Sequence, residues 1–200
     1  MKKSQFILVA FIFMFLFRPT VHAQKGSWYV GGQLGYNSKT EKNTGLPDVK
    51  TNTWAVAPEV GTFLQNTLQL GFAVNLSGSD VSDGIDSTTT KFAPVLYLRR
   101  FFKVGDAFST FVGLVGSVTT GSVDANATKY DLGGWSANVS LGAAYAVSKR
   151  FTVVGQYGLF GYTSQTVESG PNKNEINNLG FNINALGPVF NVGLYWTFKP

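Results

Sequence analysis

The 200-residue chain contains no cysteine and one histidine, His22. Without thiols there is no disulfide framework, no thiolate metal site and no lipid-modified N-terminal cysteine. Charge is also scarce, at 14 % of residues. The only long apolar run, Phe6 to Phe17, falls short of the roughly 20 residues a spanning helix needs, and no later run approaches that length.

That run belongs to an opening stretch, MKKSQFILVAFIFMFLFRPTVHAQ, laid out as a secretory signal. Lys2 and Lys3 precede the run, Arg18 and Pro19 close it, and Val21-His22-Ala23 supplies a small-residue cleavage site. Residues 1–23 are therefore expected to be cleaved, leaving residues 24–200 as one domain. Cleavage removes His22, so no Cys–His dyad or Ser–His–Asp triad can form, and an enzyme is the weakest expectation. Three basic residues leave as well, so that 13 basic and 11 acidic residues remain. No Lys/Arg cluster is left to follow a phosphate backbone, and nucleic acid is not expected as a partner. Oxygen ligands for a metal would have to come from Asp80, Asp83 and Asp86 in SDVSDGIDS. Their spacing is not that of an EF-hand loop, and a solvated acidic loop is the expectation, with neither metal nor cofactor.

What the chain does have is alternation. In TLQLGFAVNLSGS (67–79), Leu68, Leu70, Phe72, Val74 and Leu76 alternate with Gln69, Gly71, Ala73, Asn75 and Ser77. Successive strand side chains point to opposite faces, so this is a strand with one greasy face and one small, polar, uncharged face. Seven other segments read similarly, at 27–37, 51–64, 88–102, 107–121, 132–147, 150–164 and 179–198. In the last, the apolar parity switches between Ile183 and Phe190, and a bulge near Gly187-Pro188 would absorb the change. Pro58 and Pro94 lie inside segments, where bulges are also expected. QNT, KVGD and SKR make short turns, whereas SKTEKNTGLPDVK, SDVSDGIDS, SVDANATKYD and QTVESGPNKNEINN are long, polar connections. Short turns at one end and long loops at the other describe an up-and-down meander of outer-membrane type. VGGQLG (30–35) lacks the strand-then-helix context of a phosphate-binding turn, and its glycines are read as inward positions that leave room for bulkier neighbours.

A lipocalin-like soluble barrel would share the alternation but would carry charges on its wet face. Here only Glu59, Lys91, Arg99 and Arg100 fall within strands, so the polar faces suit a packed interior and the apolar faces suit lipid. Trp28, Tyr36, Trp54, Phe102, Phe108, Trp135, Tyr145, Phe151, Tyr162 and Trp196 lie toward segment ends, as an interfacial girdle would. About eight strands close a barrel whose interior side chains just fill. The expected fold is all-β: an eight-stranded antiparallel up-and-down transmembrane barrel with periplasmic turns and extracellular loops.

On the signal layout, the eight segments and the closing GLYWTF, the mature chain resembles the small outer-membrane β-barrel family that includes the OmpX-like proteins and the transmembrane half of OmpA. The resemblance implies a bacterial outer-membrane location and recognition of a C-terminal aromatic by the barrel assembly machinery. Phe198 matches that aromatic, although Lys199 and Pro200 follow it here.

Inside the inferred barrel, Glu59 and Arg99 fall on interior faces at similar depth, on segments separated by one strand, about 10 Å apart. A luminal ion pair is expected, with Gln33, Gln69, Asn138 and Gln156 as supporting polar partners, since a lone buried charge is costly. It serves either as a core plug or as a gate for small solutes. The leading functional expectation is a non-enzymatic barrel, solvated by outer-membrane lipid, whose loops serve adhesion, surface protection or contact with an extracellular ligand or envelope protein. The alternatives are a narrow channel or lateral pathway for small or hydrophobic molecules, and an accessory subunit of a secretion or envelope-assembly complex.

Overall fold

A computed structural model describes residues 25–42, 48–82, 86–125, 128–169, 172–181 and 190–198. The elements are β1 (Trp28–Glu41), β2 (Val49–Gln65), β3 (Leu68–Ser82), β4 (Asp86–Lys103), β5 (Phe108–Ala125), β6 (Thr128–Ala146), β7 (Phe151–Ser169), β8 (Asn172–Phe181) and β9 (Phe190–Phe198). Antiparallel neighbours follow one another from β1 to β7, and β9 closes the ring by pairing with both β7 and β1. The result is a ring of eight strands. β8 and β9 share the last position: β8 pairs with Phe160–Ser169 of β7, and β9 pairs with Phe151–Tyr157. The signal segment, Asp83 and the expected bulge near Gly187-Pro188 lie outside the described residues.

The alternation sorts side chains by face. Leu96 and Leu114 are each 59 % exposed, while Ala73 and Arg99 are at 0 %. The aliphatic residues thus cover the outer wall, and the small and polar residues fill the lumen. An apolar exterior of this extent is unsuited to water but matches hydrocarbon, the opposite arrangement from a soluble carrier. Trp28, Phe102 and Phe151 are exposed near the turn end, and Tyr36, Trp54 and Trp135 near the other. Trp196 packs edge-on against Phe151 at 4.5 Å, and Trp135 lies 5.0 Å from Tyr162.

Inward glycines make the lumen possible. A Cβ on Gly71 would collide with the Tyr29 hydroxyl and the Tyr97 ring, and one on Gly142 would collide with Phe111. Gly31, within VGGQLG, likewise gives up its space to Tyr195.

Two expectations about backbone regularity are corrected. No bulge occurs at Pro58 or Pro94: Gly32↔Pro58 and Val74↔Pro94 lie in unbroken register, and the ladders on the opposite sides skip a pair of residues and resume unchanged. Each proline lacks an N–H toward one neighbour only, so the strand loses a bond without gaining a residue. The register shifts fall instead between Phe63 and Gln65, beside a turn, and between Val139 and Ser140, opposite Phe160 and Gly158. The second shift turns both Leu159 and Phe160 outward, with both exposed. Much of the polar sequence at the loop end is also strand. β3 runs to Ser82 and β4 starts at Asp86, while β5 runs to Ala125 and β6 starts at Thr128. These extensions are rich in Thr and Ser, whose strand propensity and cross-strand hydroxyl contacts, such as Thr88 to Asp80 at 3.0 Å, favour continued pairing beyond the apolar band.

The outward assignment is testable at Leu114. Leu114→Arg would put a charge into the apolar band and is expected to cost about 2–4 kcal/mol. The check is the urea midpoint at which the compact, unheated gel band is lost; an unchanged midpoint would contradict a lipid-facing Leu114.

Candidate functional site: a tyrosine-framed charge plate in the lumen

Glu59 on β2 and Arg99 on β4 are separated by β3, which presents Gly71, Ala73 and Gln69 to the lumen between them. Because two of those residues are almost without side chain, the two charges can meet across the intervening strand. Arg99 Nη1 lies 3.7 Å from Glu59 Oε2, and both side chains are wholly buried.

The carboxylate is held mainly by neutral donors. Tyr97 and Tyr195 each donate a hydroxyl hydrogen to Glu59 Oε2 at 2.7 Å, and Gln33 Nε2 donates to Oε1. Since Tyr97 spends its proton on the carboxylate, Tyr29 is the donor in the 2.6 Å contact between their hydroxyls. On the cationic side, Arg99 Nη2 donates to Gln156 Oε1 at 2.8 Å, and Nη1 reaches Gln69 Oε1 and the Tyr195 hydroxyl at 3.4 Å each. The guanidinium carbon sits 3.9 Å from the Tyr97 ring centroid and 5.2 Å from that of Phe111. A planar, weakly hydrated cation stacked on ring faces loses less on burial than an ammonium would.

These side chains form a plate across the barrel. Gln33, Gln69 and Gln156 lie within it, bonded to one or other charge. Asn138 is buried on β6 at the level of Tyr97, to which it is related through Val115 of β5. Toward the loop end the Ser117 and Ser136 hydroxyls meet at 2.8 Å. Phe198 lies elsewhere, paired with Trp28 where the ring closes at the turn end, and is 48 % exposed. Among the described residues no three His, Cys, Asp or Glu side chains gather as metal ligands.

The tyrosines are what reading the sequence for charged and amide groups missed. Tyr29, Tyr97 and Tyr195 all occupy inward positions, and their signal was available: a phenol stands out on a face dominated by Gly, Ala, Ser and amides. Alternation assigns a side chain to a face, but phenols from β4 and β9 converge on one carboxylate, and the β1 phenol on the first of them, only once the ring has closed.

The plate's energetics are asymmetric. Among the described residues Gln33 Oε1, Arg99 Nε and Gln156 Nε2 find no hydrogen-bond partner, so part of the stabilisation is offset by incomplete satisfaction. Removing one charge, however, strands the other in a medium of low polarity. Glu59→Gln is therefore expected to lower stability by about 3–5 kcal/mol in urea titrations. The double variant Glu59→Leu/Arg99→Met should recover much of that loss; equal losses in both would show that the ionic contact is not what Glu59 contributes.

The comparisons with known proteins agree with this architecture. The sequence matches the family described as outer membrane protein beta-barrel domain over residues 7–197. The fold is similar to the crystal structure of the outer membrane protein OprG from Pseudomonas aeruginosa, at 15% identity and a TM-score of 0.56, with 91% of this chain and 100% of that one covered. It is also similar to the solid-state NMR structure of the outer membrane protein AlkL in DMPC lipid bilayers, at 12% identity and a TM-score of 0.52, covering 88% and 92% of the two chains. The search of curated proteins returned no match.

Proposed function

Because the chain belongs to the outer membrane protein β-barrel domain family and so resides in the bacterial outer membrane, we propose that it is a non-enzymatic barrel acting through its cell-surface end. The plate supports this reading: Arg99 at 0 % and Glu59 at 4 % exposure lie in the middle of the lumen, packed among phenol rings. A plug that ties β1, β2, β3, β4, β7 and β9 together suits a scaffold better than a pore. The polar strand extensions at the loop end then become the working surface, for adhesion, protection or contact with an extracellular ligand or envelope protein. They stand on a rigid base, which is how binding surfaces are commonly positioned. Under the same proposal the segment 1–23 directs export, and Phe198, at the end of the closing strand, is the residue the barrel assembly machinery reads.

A second reading, a lateral pathway for small apolar molecules, is favoured by one observation. Among the described pairings, β8 joins only β7, and Leu34–Glu41 of β1 joins only β2. Leu34, Tyr36, Leu179 and Phe181 are correspondingly the more exposed apolar residues near this seam, at 78, 76, 66 and 74 %.

Planar bilayers separate a plug from a pore. The folded protein is expected to leave them electrically silent, and Glu59→Gln/Arg99→Gln to add conductance. Steps in the unmodified protein that those substitutions leave unchanged would count against the plugged lumen.

A further inference from the structure

We propose that the turn end of the barrel holds a binding cup for an uncharged, amphipathic small molecule with a ring-sized apolar body. Below the plate the lumen opens into a cavity of about 420 Å³. That lies within the range of about 300–1,000 Å³ typical of small-molecule sites.

The cup arises from unequal walls. One side carries rings: Tyr29 lies 6.0 Å from Phe63, and Phe63 lies 6.1 Å from Phe101. The facing side, on β6 and β7, carries Ala144, Ala146 and Val154, all buried. Rings against alanines leave space that rings against leucines would fill, and a lumen serving only as packed core would have no need of it. The floor includes Tyr29, Gln69 and Tyr195, which belong to the plate, so the cup is closed at its inner end.

Charge selects the ligand. Among the described residues the charged side chains on the wall are Asp106 and Lys103 at the rim, 3.6 Å apart and so mutually neutralising. Arg99 and Glu59 behind the floor are spent on each other. An ion entering the cup would lose hydration without gaining a counter-charge, whereas a neutral molecule would exchange water for aromatic faces and keep its polar end among the hydroxyls of Ser109, Thr152 and Thr197. Because the inner end is closed, the cup retains its ligand instead of passing it on, so it stands independently of the surface role proposed above.

The test is a methyl NMR titration of the full barrel in lipid nanodiscs, using 2-naphthol as the neutral probe and 2-naphthalenesulfonate as its charged counterpart of similar shape. Saturable shifts are expected at Ala144, Ala146 and Val154, with the sulfonate binding at least about tenfold more weakly, and Ala144→Phe reducing naphthol affinity by about tenfold or more. If Ala144→Phe does not run as a compact, heat-modifiable band, Ala107→Trp at the rim takes its place and should give the same loss. The cup proposal is overturned if shifts arise only at outward methyls such as Leu114 and Leu194, which would mean partition into lipid. It is equally overturned by equal binding of the two probes, or by naphthol binding that the folded variant leaves intact.

Discussion

A peptide N–H or C=O inside hydrocarbon has no water to bond, so a strand there must find a neighbour on each side. In this chain the requirement is met by β9, whose pairing with β1 and β7 turns a meander into a ring. Closure fixes two surfaces at once, an outside that lipid must solvate and an inside too narrow for bulk water. The outer wall carries leucine, valine and the aromatic belts, and the inner one carries glycine, alanine, serine and amides around a smaller set of buried rings and valines. Where pairing is incomplete among the described residues, along the outer half of β1 and on β8, the seam lies toward the loop end, where water can serve unpaired groups.

The narrow interior then decides the chemistry. Glu59 and Arg99 can be buried there because β3 offers glycine and alanine between them and because phenols supply donors that a hydrocarbon core would not. The pair is a poor source of net stability, since desolvation offsets most of its attraction. It does specify an arrangement: six strands contribute hydrogen-bonding side chains to one plate, and a shift of one residue in any of them would turn its contribution outward. The plate also divides the lumen, with a hydroxyl- and amide-lined part toward the loops and an aromatic cup toward the turns.

How much of this was legible depends on the kind of information each feature needs. Strand positions, face assignment, the number of strands in the ring and the inward placement of Glu59 and Arg99 come from a period of two, which is local. The proline positions show the limit of local rules. Pro58 and Pro94 signal a lost hydrogen bond, but whether the strand answers with a bulge depends on the neighbours' registers, and here it does not. The strand extensions are hidden for a related reason: Ser and Asp favour turns while Thr favours strands, and the partner strand arbitrates.

The sequence by itself determined that successive side chains would part into greasy and polar sets, because alternation is a property of the extended backbone alone. It also determined that nucleophilic chemistry dependent on cysteine was out of reach. The tertiary structure decided which side chains meet. Tyr97 and Tyr195 meet at one carboxylate, with Tyr29 behind Tyr97, only because closure brings the first and last strands together. The cup likewise exists because rings from β1, β2 and β4 line one side of the lumen and alanines on β6 line the other. Depth and angular position around a barrel follow from strand stagger and ring closure, and no stretch of ten residues carries that information.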